Sequence, residues 1–206
     1  MPVLCIATTN PNKLSEIREL LADVPVQLKS LRDVPPIAEP EETGTTFQEN
    51  ARLKALYYAA HSGIRTVAED SGLVIDALGG EPGVRSARFL REDASYPERF
   101  AEIHRRLAQT PDEPRTARFI CALAVVDNGR VIYETTGTVE GEIADAPRGG
   151  YGFGYDPIFY YPPYGSTLSE VASARKNAVA HRGVAFRRLA DWLRQGGWAG
   201  ILPVRS

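Results

Sequence analysis

The chain has 206 residues, with 24 lysines and arginines against 26 aspartates and glutamates, for a formal net charge of −2. That near-balance excludes the basic excess of a protein built to coat nucleic-acid polymers or an anionic membrane, and 43% hydrophobic with 24% charged residues excludes a disordered chain. Two cysteines, Cys5 and Cys121, and three histidines, His61, His104 and His181, are too few and too scattered for a disulfide framework or a zinc ribbon. The longest apolar run, residues 119–126, is far below the ~20 residues that span a bilayer. No leader-like segment opens the chain, so a cytoplasmic setting is expected.

Residues 3–7 (VLCIA) read as a short buried strand. The chain then passes Thr8, Thr9 and Asn10 into Pro11, after which Leu14, Ile17, Leu20 and Leu21 recur at helical spacing. Proline just inside the start, with Thr9 or Asn10 as cap, opens a helix. Residues 26–31 fit a second strand, and residues 32–44, with three prolines and Glu39, Glu41 and Glu42, fit a loop. Thr46 and Glu49 form a capping box before a helix to about His61, closed by Gly63. Residues 66–69 read as a short strand ending in Asp70, Ser71 and Gly72, with residues 73–75 continuing the extended chain. Residues 77–89 are glycine-punctuated and irregular, and Ser95 with Glu98 opens a helix to about Leu107. Residues 115–127 and 130–142 are strands joined at Asn128-Gly129, the strongest short hairpin signal. Residues 149–154 hold four glycines, residues 157–160 form a brief strand, and residues 177–193 read as one helix. Helices alternating with strands around an antiparallel hairpin predict a mixed-sheet α/β domain.

Four constellations offer chemistry. Thr8, Asn10 and Lys13 stand at a strand-to-helix turn, where free N–H groups, a positive dipole end and a lysine suit a phosphate. An ordinary capped helix fits the same spacing, and no P-loop motif is present. Glu69 and Asp70, beside Ser71, stand at a predicted strand end, where a carboxylate suits Mg²⁺, with Glu41 or Glu42 as a second. A plain turn fits those residues equally. Residues 149–156 (GGYGFGYD) alternate glycine with Tyr151, Phe153 and Tyr155, which suits stacking on a flat base or plugging a core. Lys176, His181 and Arg182 gather donors near a helix start, suiting phosphate oxygens, a ring carbonyl or a solvated basic face.

Taken in order, the segments ATTNPNK (residues 7–13), Glu41-Glu42-Thr43-Gly44, Phe47, Glu49-Asn50-Ala51, Lys54-Ala55, AEDSGL (residues 68–73), Leu78-Gly79-Gly80, Pro82-Gly83, Ser86-Ala87-Arg88, GFGYDPIF (residues 152–159) and His181-Arg182-Gly183 resemble one family. It is that of the house-cleaning dITP/XTP pyrophosphatases, also called inosine triphosphatases. The series covers about residues 3–193. The resemblance implies an α/β, bilobed, mixed-sheet inosine triphosphatase-like fold with the active cleft between lobes. Residues 1–206 would be a single catalytic domain of two lobes, with a C-terminal tail at about 196–206. It implies a Mg²⁺-dependent homodimeric hydrolase converting dITP, ITP and XTP to monophosphate and pyrophosphate.

Carried over by motif, Lys13 and Lys54, with Thr8, Thr9, Asn10, Pro11 and Asn12, would hold the phosphates. Glu42 and Asp70 would bind Mg²⁺, Asp70 would also serve as general base, and Ser71 would touch substrate. Glu41 and Glu69 would join these carboxylates around the metal. Lys176, His181 and Arg182 would present donors to a 6-keto group, which adenine lacks. Phe153, Gly154 and Tyr155 would stack on the base or shape its pocket, and Asp156 would accept a ring N–H. Guanine also carries the 6-keto group, so its exclusion lies elsewhere in the pocket. Two departures from the family pattern stand here: Ala180 replaces its usual serine, and Ala174-Arg175 replaces two glutamates before Lys176. A Maf-like pyrophosphatase acting on pyrimidine or modified nucleotides, and a nucleotide sensor without chemistry, are the alternatives. GFGYDPIF and His181-Arg182-Gly183 weigh against the first, and the presence of both Glu42 and Asp70 against the second.

Overall fold

The apolar run at the start forms β1 (Val3–Ile6), and the helix after it is α1 (Pro11–Leu20). The structure is a computed structural model that describes residues 1–197, so the expected tail lies almost wholly outside the described residues. Asn10 is the cap: its side chain accepts from the N–H groups of Asn12 and Lys13, and Pro11 follows with no N–H to satisfy. β2 (Gln27–Ser30) pairs parallel with β1. α2 (Phe47–Ser62) opens on the capping box of Thr46 and Glu49 and closes on Gly63 at φ 65°, a backbone conformation that glycine adopts without a Cβ clash.

β3 is longer than the sequence suggests. Thr66–Ile75 is one strand of 10 residues, with Asp70, Ser71 and Gly72 in its middle rather than in a turn. The reason is its neighbour. β4 (Thr116–Asp127) runs antiparallel beside the whole of it, placing Asp70 opposite Ala122 and Gly72 opposite Ile120. Pairing with an apolar strand overrides the local turn preference of Asp-Ser-Gly. Glycine is required at residue 72, because a Cβ there would press on the Ser86 hydroxyl and the Gly83 carbonyl.

After α3 (Tyr96–Leu107) and β4, β5 (Arg130–Ile143) returns through Asn128 and Gly129 at φ 47° and 73°, the predicted hairpin. β6 (Phe159–Tyr161) and β7 (Ser166–Thr167) complete a seven-stranded sheet in the order β2-β1-β3-β4-β5-β6-β7. β1 is parallel to both its neighbours, while the pairs from β3 to β7 are antiparallel. The expected mixed-sheet α/β fold is therefore present.

The predicted helix at residues 177–193 is two helices, α4 (Ser173–Val179) and α5 (His181–Arg194). Ala180, at ψ 149°, ends one and caps the other. Gly183 permits the break to close tightly, since any Cβ there would collide with the carbonyl of Asn177.

Side chains alternate across β3 and β4. Val67, Cys121, Leu123 and Val125 pack on β1, α1 and α5, while farther along the same face Leu73, Ile75 and Phe119 pack on α3 and β6. The opposite face, with Ala68, Ala122, Ala124 and Val126, is covered by α2. β1 pairs with β3 only at Thr66 and Val67, so the β3 edge is open beyond that point until a bridge at Val74 and Pro82. No helix among the described residues is long and apolar enough to cross a membrane.

Candidate active site

The open stretch of β3 borders a cavity of about 830 Å³, within the size range of small-molecule sites. The start of α1, the loop at residues 39–42, α2, the segment at residues 84–92, the glycine–aromatic loop and the α4–α5 break supply its walls.

Glu69 and Asp70 are consecutive on β3, so the pleat sends them to opposite faces. Glu69 meets Lys13 Nζ at 2.6 Å and Arg182 at 3.4 Å. Asp70 meets Lys54 Nζ at 3.0 Å and accepts from the Asn50 amide at 3.3 Å. Lys54 Nζ also donates to Glu42 Oε1 at 2.6 Å. The four expected acidic residues therefore do not form one group: Glu69 belongs to the Lys13–Arg182 side, and Glu41 is exposed. Their electrostatics diverge as well. Burial pushes Asp70 above its ordinary value, and Lys54 offsets this only in part. Burial acts on Glu69 too, but Lys13 and Arg182 outweigh it and hold that carboxyl well below its ordinary value. Adjacent carboxylates driven apart in this way are suited to different tasks.

Among the described residues, no group of three or more His, Cys, Asp or Glu gathers as a metal cluster. Glu42 and Asp70 nevertheless converge on one ammonium, at 2.6 and 3.0 Å, so they stand close enough to share a cation. Two carboxylates, with phosphate and water completing the shell, is a donor set that suits Mg²⁺. The residues present fit that metal, and Glu42, not Glu41, is the carboxylate that shares the Lys54 ammonium with Asp70.

The other end of the cavity is a buried ionic lattice. Lys176 Nζ donates to Glu16 at 2.9 Å and to Asp156 at 2.7 Å. Arg182 donates to Glu16 at 2.8 Å and to Ser71 Oγ at 3.1 Å. Phe153 lies beneath both cations, its ring centroid 4.7 Å from Lys176 Nζ and 5.6 Å from Arg182 Cζ. The Phe153 N–H donates to Asp156 at 2.9 Å, which ties the glycine-rich loop to this lattice. His181 stacks on Phe119 at 4.8 Å. Burial, reinforced by Arg182, holds its imidazole well below the usual histidine range. His181 Nδ1 and Arg182 Nε are buried without a hydrogen-bond partner, and both residues line the cavity. Such an atom costs about 1–3 kcal/mol unpaired.

Of the residues singled out in the sequence, Thr8, Thr9, Asn10, Lys13, Lys54, Ser71, Phe153, Gly154, Tyr155, Asp156, Lys176, His181 and Arg182 all line this cavity. Pro11 and Asn12 do not; they lie exposed on the first turn of α1. The helix start is also less open than expected, because Asn10 Oδ1 already accepts from the N–H groups of Asn12 and Lys13. Tyr155 is a wall rather than a stacking surface: it is buried, donates to the Ser86 carbonyl at 2.8 Å and packs edge-on against Tyr96. Tyr151 is exposed and outside the cavity. Glu16 escaped the sequence reading, although its place three residues after Lys13 puts both on one face of α1. Tyr96 escaped it too, and only its position at the start of α3 brings it to the cavity wall.

The model of the Ham1 family matches residues 4–192. A dITP/XTP pyrophosphatase of Geobacter sulfurreducens is 46% identical over 201 residues, covering 98% of this chain and 100% of the relative. One of Geobacillus kaustophilus is 47% identical, covering 93% and 94%. Among solved structures, a HAM1 protein from Coxiella burnetii superposes with TM-score 0.87 at 40% identity, covering 95% of this chain and 100% of that one. A nucleoside-triphosphatase / dITP/XTP pyrophosphatase from Mycobacterium abscessus does so with TM-score 0.73 at 40% identity, covering 91% and 98%.

Proposed function

The chain belongs to the Ham1 family, and from that premise we propose that it is a Mg²⁺-dependent nucleoside triphosphate pyrophosphatase acting on dITP, ITP and XTP. The observation that carries this reading is the polarity of the cavity: the carboxylates of Glu42 and Asp70 around Lys54 at one end, and the buried cations Lys176 and Arg182 over Phe153 at the other. The first suits a triphosphate and the second a purine ring.

A triphosphate carries about four negative charges, so the work of the protein is positioning and charge neutralisation. Lys13 and Lys54 supply fixed positive charge, and Thr8, Thr9 and Asn10 supply polar contacts. Glu42 and Asp70 would hold Mg²⁺, which when bound neutralises charge on the phosphate oxygens. Asp70 accepts the proton of the attacking water, whose oxygen joins the α-phosphorus as the bond to the β-phosphate bridge breaks. Pyrophosphate leaves and the nucleoside monophosphate remains. Lys176 and Arg182 present only donors, so a 6-keto group finds a match where the adenine amino group meets donor with donor. Sites that hydrogen-bond a defining group reject its absence by ~10⁴-fold or more. Phe153 offers the base a stacking face. A homodimer in the cytoplasm is part of the same proposal.

The test is turnover of ITP, dITP, XTP, ATP and GTP by purified protein with and without a chelator, with phosphate and pyrophosphate measured separately. Pyrophosphate and monophosphate from the first three, lost on chelation, are expected. Orthophosphate alone, or equal turnover of ATP, overturns the reading.

A further inference from the structure

We infer that Arg88 is an exchangeable partner of the phosphate end: it pairs with Glu42 until a divalent cation takes that carboxylate, and then pairs with the departing pyrophosphate. This rests on the metal site proposed above.

Arg88 ends a 3-10 segment, Gly83–Arg88, whose backbone is firmly held. Ser86 Oγ accepts the Leu73 N–H of β3 at 2.9 Å and donates to the Gly83 carbonyl at 2.6 Å. The Ser86 carbonyl accepts from the Tyr155 hydroxyl at 2.8 Å and from Arg99 at 3.4 Å. Arg99 is buried and also donates to the carbonyls of Arg91 and Glu92, on the far side of Arg88. The base of Arg88 is thus fixed while its side chain, 45% exposed, reaches Glu42 Oε2 at 3.2 Å.

Glu42 therefore serves two cations with one carboxylate, Lys54 on Oε1 and Arg88 on Oε2. The two are not equally bound. Lys54 is only 12% exposed and is also held by Asp70. A half-exposed pair such as Arg88–Glu42 is weak and readily broken. With a divalent cation shared by Glu42 and Asp70, Lys54 Nζ, which now bridges the two, would turn to the phosphates, and Arg88, paired here with Glu42 alone, would lose its partner. Its planar fork then matches phosphate oxygens, which accept it in two parallel hydrogen bonds.

Calorimetric titration of Mn²⁺ without nucleotide, and of inorganic pyrophosphate in saturating Mn²⁺, separates the two halves of the exchange. Arg88→Met removes a competitor for Glu42, so Mn²⁺ is expected to bind up to ~5-fold tighter. The same variant should bind pyrophosphate about 10–100-fold more weakly, with Arg88→Lys between it and the unaltered protein. Opposite signs from one substitution are not produced by general loosening of the fold. Unchanged or weaker Mn²⁺ binding, or unchanged pyrophosphate binding, overturns the exchange. Mn²⁺ binding that survives Glu42→Gln overturns the metal site and the exchange with it. Binding that Glu42→Gln abolishes and Arg88→Met leaves unaltered overturns the exchange alone.

Discussion

The two ends of the cavity handle charge in opposite ways. Where α1, α4 and α5 meet, Lys176, Arg182, Glu69 and Asp156 have side chains no more than 4% exposed. Each charge there has a partner in place. Where α2 meets the loop at residues 39–42, exposure rises from 8% at Asp70 through 12% at Lys54 and 19% at Glu42 to 45% at Arg88. Buried pairs are costly to break, because the remaining charge is stranded, whereas an exposed pair such as Arg88–Glu42 is cheap to exchange. A pocket that reads a flat base gains from donors that cannot move. A pocket that takes up a polyanion with its cation, and releases pyrophosphate, gains from partners that can.

The sharpest test of this contrast is at Asp70. Asp70→Asn should lower kcat by about 10²–10⁴-fold if the residue accepts the water proton, with thermal stability measured alongside. Activity near that of the unaltered protein removes the role. Next in size is Asp156→Ala, which leaves Lys176 buried with only Glu16 as a carboxylate partner. A loss of about 3–5 kcal/mol in urea unfolding is expected; a loss below about 1 kcal/mol would mean that the lattice is not the rigid end.

His181 yields a smaller, pH-dependent effect. Its folded-state pKa lies well below the ordinary value of about 6.5, so the unfolded chain binds the extra proton first. Stability should then fall as pH drops below about 6.5, by at most about 1.4 kcal/mol per pH unit from this group. The groups around it are Arg182, Lys176 and Lys13, which oppose its protonation, and Glu69, which favours it. His181→Phe, which preserves the stack on Phe119, should flatten the dependence of unfolding free energy on pH between 7 and 5. An unchanged slope would show that imidazole burial is not its source. Smallest of all, Arg88→Met should change unfolding free energy by less than about 1 kcal/mol; a loss as large as that of Asp156→Ala would erase the contrast between the ends.

Much of this was legible where the determinant is local. Asn10 before Pro11, the capping boxes at Thr46 and Ser95, and the Asn128-Gly129 turn each act within a few residues, and each stands where the sequence places it. The length of β3 was not legible, because what keeps Asp70, Ser71 and Gly72 extended is β4, some fifty residues away in the chain. The break at Ala180 has no breaker residue to announce it; it depends on α5 closing against the carbonyl of Asn177. At the site, the cations and carboxylates were identifiable by type, but their pairing was not. Nothing in the run Glu69-Asp70 says that the first will meet Lys13 and the second Lys54, since that division is made by the sheet.

That division has a consequence for what β3 tolerates. Its two carboxylates are sorted by counting along a pleat, not by a loop shaped for each. Exchanging one side chain for another leaves the count intact. Adding or removing one residue between Val67 and Glu69 reverses it, carrying Asp70 toward Lys13 and its neighbour toward Lys54. The strand acts as a ruler, and what it measures for these two carboxylates is spacing.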